Sequence, residues 1–136
     1  MRKQGWEQQL EKTIEEARNK PYALGQHDCF SLACAVVAAL TGRDHWPEFV
    51  GKYSTFEEAI ALIHAWGPTF EEAFDQLTGE GRMAKHFQRR GDIGCYKDAR
   101  GIKHLGICVG ALAALMSEEG LVFVPAEELD PWWRIG

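Results

Sequence analysis

The sequence lacks what several function classes require. Its longest stretches without Asp, Glu, Lys or Arg, Cys29 to Gly42 and His104 to Ser117, are 14 residues each. A membrane-spanning helix needs about 20. No basic run is present, and 15 Lys and Arg face 20 Asp and Glu for a net charge of −5. That balance carries no electrostatic footprint for nucleic acid and no polybasic membrane patch. The amino terminus is basic through Arg2 and Lys3, but Glu7 and Glu11 stand where a signal peptide needs its apolar segment, so no signal peptide and a cytoplasmic location are expected. Cysteine is scarce: four residues, at 29, 34, 95 and 108, with no pair at the two-residue gap of a zinc knuckle. Free thiols in a reducing compartment fit this spacing, with neither metal nor cofactor expected. No low-complexity linker divides the chain, so residues 1–136 read as a single domain.

What is present suffices for a core, since 46% of the residues are hydrophobic. Trp6, Leu10, Ile14 and Ala17 recur at helical spacing over 5–19, and Pro21 ends that pattern. From Cys29 to Leu40 the chain is apolar nearly all round, with Asp28 before it as N-cap and Gly42 after it as stop. A helix of that kind belongs in the centre of the fold. Thr55-Phe56-Glu57-Glu58 and Thr69-Phe70-Glu71-Glu72 both show capping-box spacing, which predicts two more helices, ending near Trp66 and Leu77. From Gly91 short apolar segments alternate with glycine-containing breaks, at 93–96, 103–109, 111–116 and 121–124. These predict strands, with Lys97 to Gly101 as a hairpin turn. Helices first and strands second is the α+β pattern.

Two residues stand out chemically. Cys29 falls in the first turn of the apolar helix, where free amides and the helix dipole favour a thiolate. Its own N–H could also help hold an oxyanion. Packing is the alternative use of such a cysteine. His104 opens the second strand, and the period of two puts His104, Gly106 and Cys108 on one face and Leu105, Ile107 and Val109 on the other. The small residues beside His104 leave space for a substrate or for a closely packed helix end. A cysteine nucleophile needs a base brought to it by the fold, and His104 is the candidate. Cys34 faces the core, and Cys108 is the rival thiol. His27 next to Asp28 and Cys29 has no second ligand pair, so no metal site is assigned. His64 and His86 are expected on the surface of helical segments. The aromatic carboxyl end, Leu129 to Gly136, is expected to dock onto its own domain.

Pro21-Tyr22-Ala23-Leu24-Gly25-Gln26-His27-Asp28-Cys29, Arg90-Gly91-Asp92-Ile93-Gly94-Cys95-Tyr96 and His104-Leu105-Gly106-Ile107-Cys108-Val109-Gly110 together resemble three signatures of the NlpC-type cysteine peptidases. These are papain-like bacterial and phage cell-wall enzymes, and the resemblance is closest to their short phage and prophage relatives. It covers residues 21–42 and 90–124. It implies a papain-like α+β fold in which a central helix carrying Cys29 packs on a small antiparallel sheet carrying His104, with residues 43–89 as a helical insertion. It further implies Cys29 as nucleophile, His104 as general base, Tyr22 beside the oxyanion and Asp28 supporting the helix start; Asp92 would tie down a strand end. The implied substrate is a peptidoglycan stem peptide, and phage tail proteins are possible partners, which would make the protein virion-associated. Two departures stand out. The family's third polar residue lies on the strand after the histidine, and here 111–116 offers none before Ser117 and Glu118. That member is absent, replaced by a backbone carbonyl or by Ser117, or supplied from elsewhere. Phe30 also stands where the family has a small residue, and its bulk is expected to narrow the cleft. A catalytically silent binding or tail-assembly module on the same fold is the alternative.

Overall fold

The computed structural model describes residues 1–136. Four helices come first: α1 (Trp6–Arg18), α2 (Cys29–Thr41), α3 (Phe56–His64) and α4 (Phe70–Thr78), with a 3-10 turn at Trp46–Glu48. Six strands follow: β1 (Arg82–Met83), β2 (Ile93–Lys97), β3 (Lys103–Cys108), β4 (Leu112–Ser117), β5 (Gly120–Pro125) and β6 (Trp132–Trp133). They form one antiparallel sheet in the order β1-β6-β2-β3-β4-β5. The fold is therefore α+β, and no helix is long and apolar enough to cross a membrane.

The caps act as the sequence suggests. Asp28 Oδ1 accepts from the Ser31 amide at 2.8 Å and the Ser31 hydroxyl accepts from the Asp28 amide, closing a reciprocal box at the start of α2. Thr55 and Glu58 close another on α3, whereas Thr69 caps α4 from one side only. Helix α2 buries Phe30, Leu32, Ala33, Cys34, Val36, Val37 and Leu40 against α1 and one face of the sheet. That face contributes Ile93, Cys95, Leu105, Ile107, Ala114, Met116 and Trp133. The opposite face carries a smaller cluster of Cys108, Ala113, Leu115, Ala126, Leu129 and Trp132. The alternation expected along β3 is present: Leu105 and Ile107 meet α2, and Cys108 faces away.

Four expectations change. Phe30 does not narrow a cleft; it is 8% exposed and meets Trp46, Phe49 and Phe74 edge-on in the core. The space beside His104 is not left for a helix end, because a Cβ on Gly106 would strike Leu129 and Leu115 on the far face. Segment 43–89 holds more than helices: it ends in β1, which pairs with β6. His86 is exposed, but it sits in a loop with φ 80°.

The carboxyl end docks on the domain as expected, and does so as a strand inside the sheet. Trp132 and Trp133 are fully buried, with β6 inserted between β1 and β2. Buried Asp92 holds this end in place. It accepts from Arg2 at 2.9 Å, from the Ile135 amide at 3.0 Å and from the Arg89 amide at 2.8 Å, so both chain ends meet at the start of β2. Gly94 is required by the same packing, since a Cβ there would lie 2.8 Å from the Trp132 ring. Gly94→Ala is expected to cost about 1–3 kcal/mol through overpacking, seen as a lower urea midpoint at unchanged slope.

Candidate active site

The site lies where the sheet opens between β3 and β4. These strands pair only through Ile107↔Ala114 and Cys108↔Ala113, next to their connecting turn. The first half of β3 is bound on one side alone, to β2. Cys95, opposite Leu105, sends its amide and carbonyl to Pro131 and Asp130. In an antiparallel ladder the Leu105 N–H must then point away from β2, into the opening. There it meets the sulfur of Cys29, the first residue of α2. The thiol is thus set against the peptide joining His104 to Leu105.

The His104 ring leaves β3 on the other face. It stands across from Tyr96, with ring centroids 6.4 Å apart, while α2 packs on the face of Leu105. Its one side-chain partner is Asp98, whose Oδ2 lies 2.9 Å from Nε2. When Nε2–H is donated to Asp98, Nδ1 is the nitrogen left for other chemistry. Thiol and ring therefore share one peptide without a hydrogen bond between them.

Asp98 belongs to the β2–β3 turn. Its Oδ1 accepts from the amides of Arg100 (2.8 Å) and Ile102 (3.0 Å), an Asx turn that fixes the carboxylate. The other oxygen is aimed at the ring. The bond from His104, helped by these amides and by Arg100, holds the Asp98 carboxyl well below the usual carboxylate range. The polar partner of the His104 ring thus stands before it in the chain and not on the strand after it. The sequence signal was the aspartate opening a tight glycine-containing turn, which marks the turn but not the direction of the spare oxygen. Ser117 is occupied elsewhere: its hydroxyl donates to the Gly120 carbonyl at 2.9 Å and accepts from the Glu119 amide at 3.2 Å.

Asp28 does more than cap. Its buried carboxylate also accepts from the Gly25 amide at 2.9 Å and from the Tyr53 hydroxyl. Gly25, with φ 84°, passes so close to the Tyr53 carbonyl that any side chain there would collide. Tyr53, which sequence reading missed, thereby anchors the loop before Cys29 to segment 43–89. Tyr22 is half-buried beside Asp28 and Cys29, and its hydroxyl makes no hydrogen bond within the chain. Burial, then the charges of Asp28 and Cys29, raise its pKa, so it remains a donor at neutral pH.

Helix position does not make Cys29 a thiolate. Burial pushes its thiol up to about 12, outweighing the Leu105 and Cys29 amides that pull it down, and Asp28 raises it further. The dipole of one helix end cannot offset the removal of a thiolate from water. Burial also raises Cys34 to about 12 and Cys95 to about 11. Cys108, the rival thiol, is 2% exposed, likewise raised by burial, and donates to the Gly110 carbonyl. At pH 7.5 iodoacetamide is expected to label native Cys29 on the order of a thousandfold more slowly than a free cysteine of pKa about 8.5. The rate should climb with pH and show no plateau below about pH 10; a plateau near neutrality would refute the raised thiol pKa. No three His, Cys, Asp or Glu side chains converge on a common metal position.

One family model, described as a domain of unknown function (DUF6950), matches residues 1–135. The chain belongs to DUF6950. No curated protein matches it. The match spans both the helical half and the sheet, so the α2 start, the β3–β4 opening and the Asp98 turn all lie within the DUF6950 domain.

Proposed function

We propose that the protein is a cysteine amide hydrolase of papain-like, NlpC-type architecture, acting through Cys29, His104 and Asp98 on peptidoglycan stem peptides. The observation that carries this is the Asp98–His104 hydrogen bond beside the peptide against which the Cys29 thiol rests. A carboxylate on one ring nitrogen sets the tautomer and orients the imidazole, leaving the second nitrogen to act as base. The resting thiol is neutral, so its proton moves as the bond forms. The proton transfer requires the His104 side chain to swing into the sheet opening together with its Asp98 partner, bringing Nδ1 to the thiol. Sulfur attacks the amide carbonyl and Nδ1 takes the proton. The Cys29 amide and the Tyr22 hydroxyl stabilise the oxyanion. His104 then protonates the departing amine, and water hydrolyses the thioester with the same base.

Incubation with purified stem-peptide muropeptides, followed by mass spectrometry, tests this reading. Cleavage of one amide bond is expected from the wild type and none from Cys29→Ala; equal cleavage by that variant would exclude a cysteine mechanism. The second reading, a catalytically silent binding or phage tail-assembly module, is favoured by the raised thiol pKa and by the missing thiol–imidazole bond. Under it, wild type and Cys29→Ala both leave the substrate intact.

A further inference from the structure

Strand β5 closes one end of the sheet, and no element pairs with its outer side. The tight turn Glu118-Glu119 makes Ser117↔Gly120 a hydrogen-bonded pair, and the ladder continues through 115↔122 and 113↔124 to the bond from Ala126 N to Ala111 O. The amides and carbonyls of Leu121 and Phe123 must then point outward. Edge strands are commonly protected by charged side chains, a bulge or an interior proline. Residues 120–124 contain none of these, and Pro125 enters only at the end. Phe123 is 37% exposed.

The two ends of β5 are acidic, while Arg18 of α1 lies over the Phe123 ring at 5.4 Å. Glu118 and Glu119 lie at one end of β5 and Glu127 and Glu128 at the other; all four are exposed, and none forms an ion pair. A second copy would be a poor occupant. Antiparallel β5–β5 pairing sets each glutamate pair against the other pair, and parallel pairing sets each against itself.

We propose that the outer edge of β5 is a docking site for an extended segment of another protein, with a β-branched centre and Lys or Arg at both ends. Backbone bonds from Leu121 and Phe123 add it to the sheet as a seventh strand, and its basic ends meet the four glutamates. Its Glu118 end lies within electrostatic reach of Tyr22 beside the Cys29 opening, but backbone pairing along 121–123 stands or falls independently of catalysis.

The probe is the peptide acetyl-Lys-Lys-Thr-Val-Thr-Val-Thr-Lys-Lys-amide, titrated by calorimetry and followed by amide hydrogen exchange. Saturable one-to-one binding is expected, weakening by about tenfold or more between low and high salt, with new protection at the Leu121 and Phe123 amides. Phe123→Pro removes one outward donor at an edge position that tolerates proline and should abolish binding, whereas Phe123→Ala, which loses the ring but keeps that donor, should retain it. Combined Glu118→Lys, Glu119→Lys, Glu127→Lys and Glu128→Lys should abolish it as well. No saturable binding would overturn the proposal. So would binding without protection of those two amides, which is charge adhesion alone, or a wild-type dimer in sedimentation that Phe123→Pro dissolves. The exchange readout needs no variant, so misfolding of any of them leaves the test intact.

Discussion

Asp98→Asn is expected to lower turnover of a stem-peptide amide on the order of 10³ to 10⁴-fold, the loss seen when a catalytic histidine loses its orienting carboxylate. The substitution is chosen for what it keeps. An amide oxygen still accepts from Arg100 and Ile102, so the Asx turn survives. What disappears is the charged acceptor on His104 Nε2. An amide NH₂ placed there would favour the tautomer with Nε2 as acceptor and a proton on Nδ1, where the thiol proton has to go. The loss should therefore fall on kcat with KM little changed, and the melting temperature should stay near that of the wild type. Undiminished turnover would remove Asp98 from the mechanism. The pH profile adds a check. Because the folded carboxyl titrates below its unfolded value, its contribution to stability is present above about pH 4 and is lost only as pH falls toward the folded value. Asp98 therefore contributes no acid limb near neutrality.

Trp133→Ala is expected to cost about 3–5 kcal/mol, the range for removing a fully buried large aromatic. That is a large part of the 5–15 kcal/mol that holds a typical domain together. Three losses add. The ring is 0% exposed and packs on Phe74 at 5.5 Å between centroids. Its Nε1 donates to Asp75 at 2.9 Å, joining the sheet to α4. Its backbone lies in β6, the strand that links β1 to β2. Trp133→Phe separates these terms, since it keeps much of the apolar contact and drops the hydrogen bond, at a cost nearer 1–2 kcal/mol. Urea unfolding measures both. A loss under about 1 kcal/mol for the alanine variant would mean that the carboxyl end is dispensable to the fold.

How far the sequence reached follows from the range of the forces involved. The four helices, the central place of α2 and the four longer strands were legible because caps, apolar periodicity and glycine breaks act over a few residues. Strands β1 and β6 were not, since each has two residues: β1 forms only against β6, and β6 is held between β1 and β2. Cys29 and His104 could be nominated from local chemistry, and that Asp28 caps α2 could be read from one residue and its neighbours.

Tertiary structure decided the rest. Thiolate or thiol at Cys29 depends on competition between a helix end and burial, and burial is set by residues far along the chain. The partner of His104 depends on which oxygen of a turn aspartate remains free and where it is aimed, which no spacing encodes. The meeting of Cys29 with the His104–Leu105 peptide exists because β4 leaves β3 after two pairs, opening the sheet where α2 begins. Residue types and short-range periodicity determined the elements and the candidate chemistry; only long-range strand pairing and desolvation determined which candidates meet and in what protonation state.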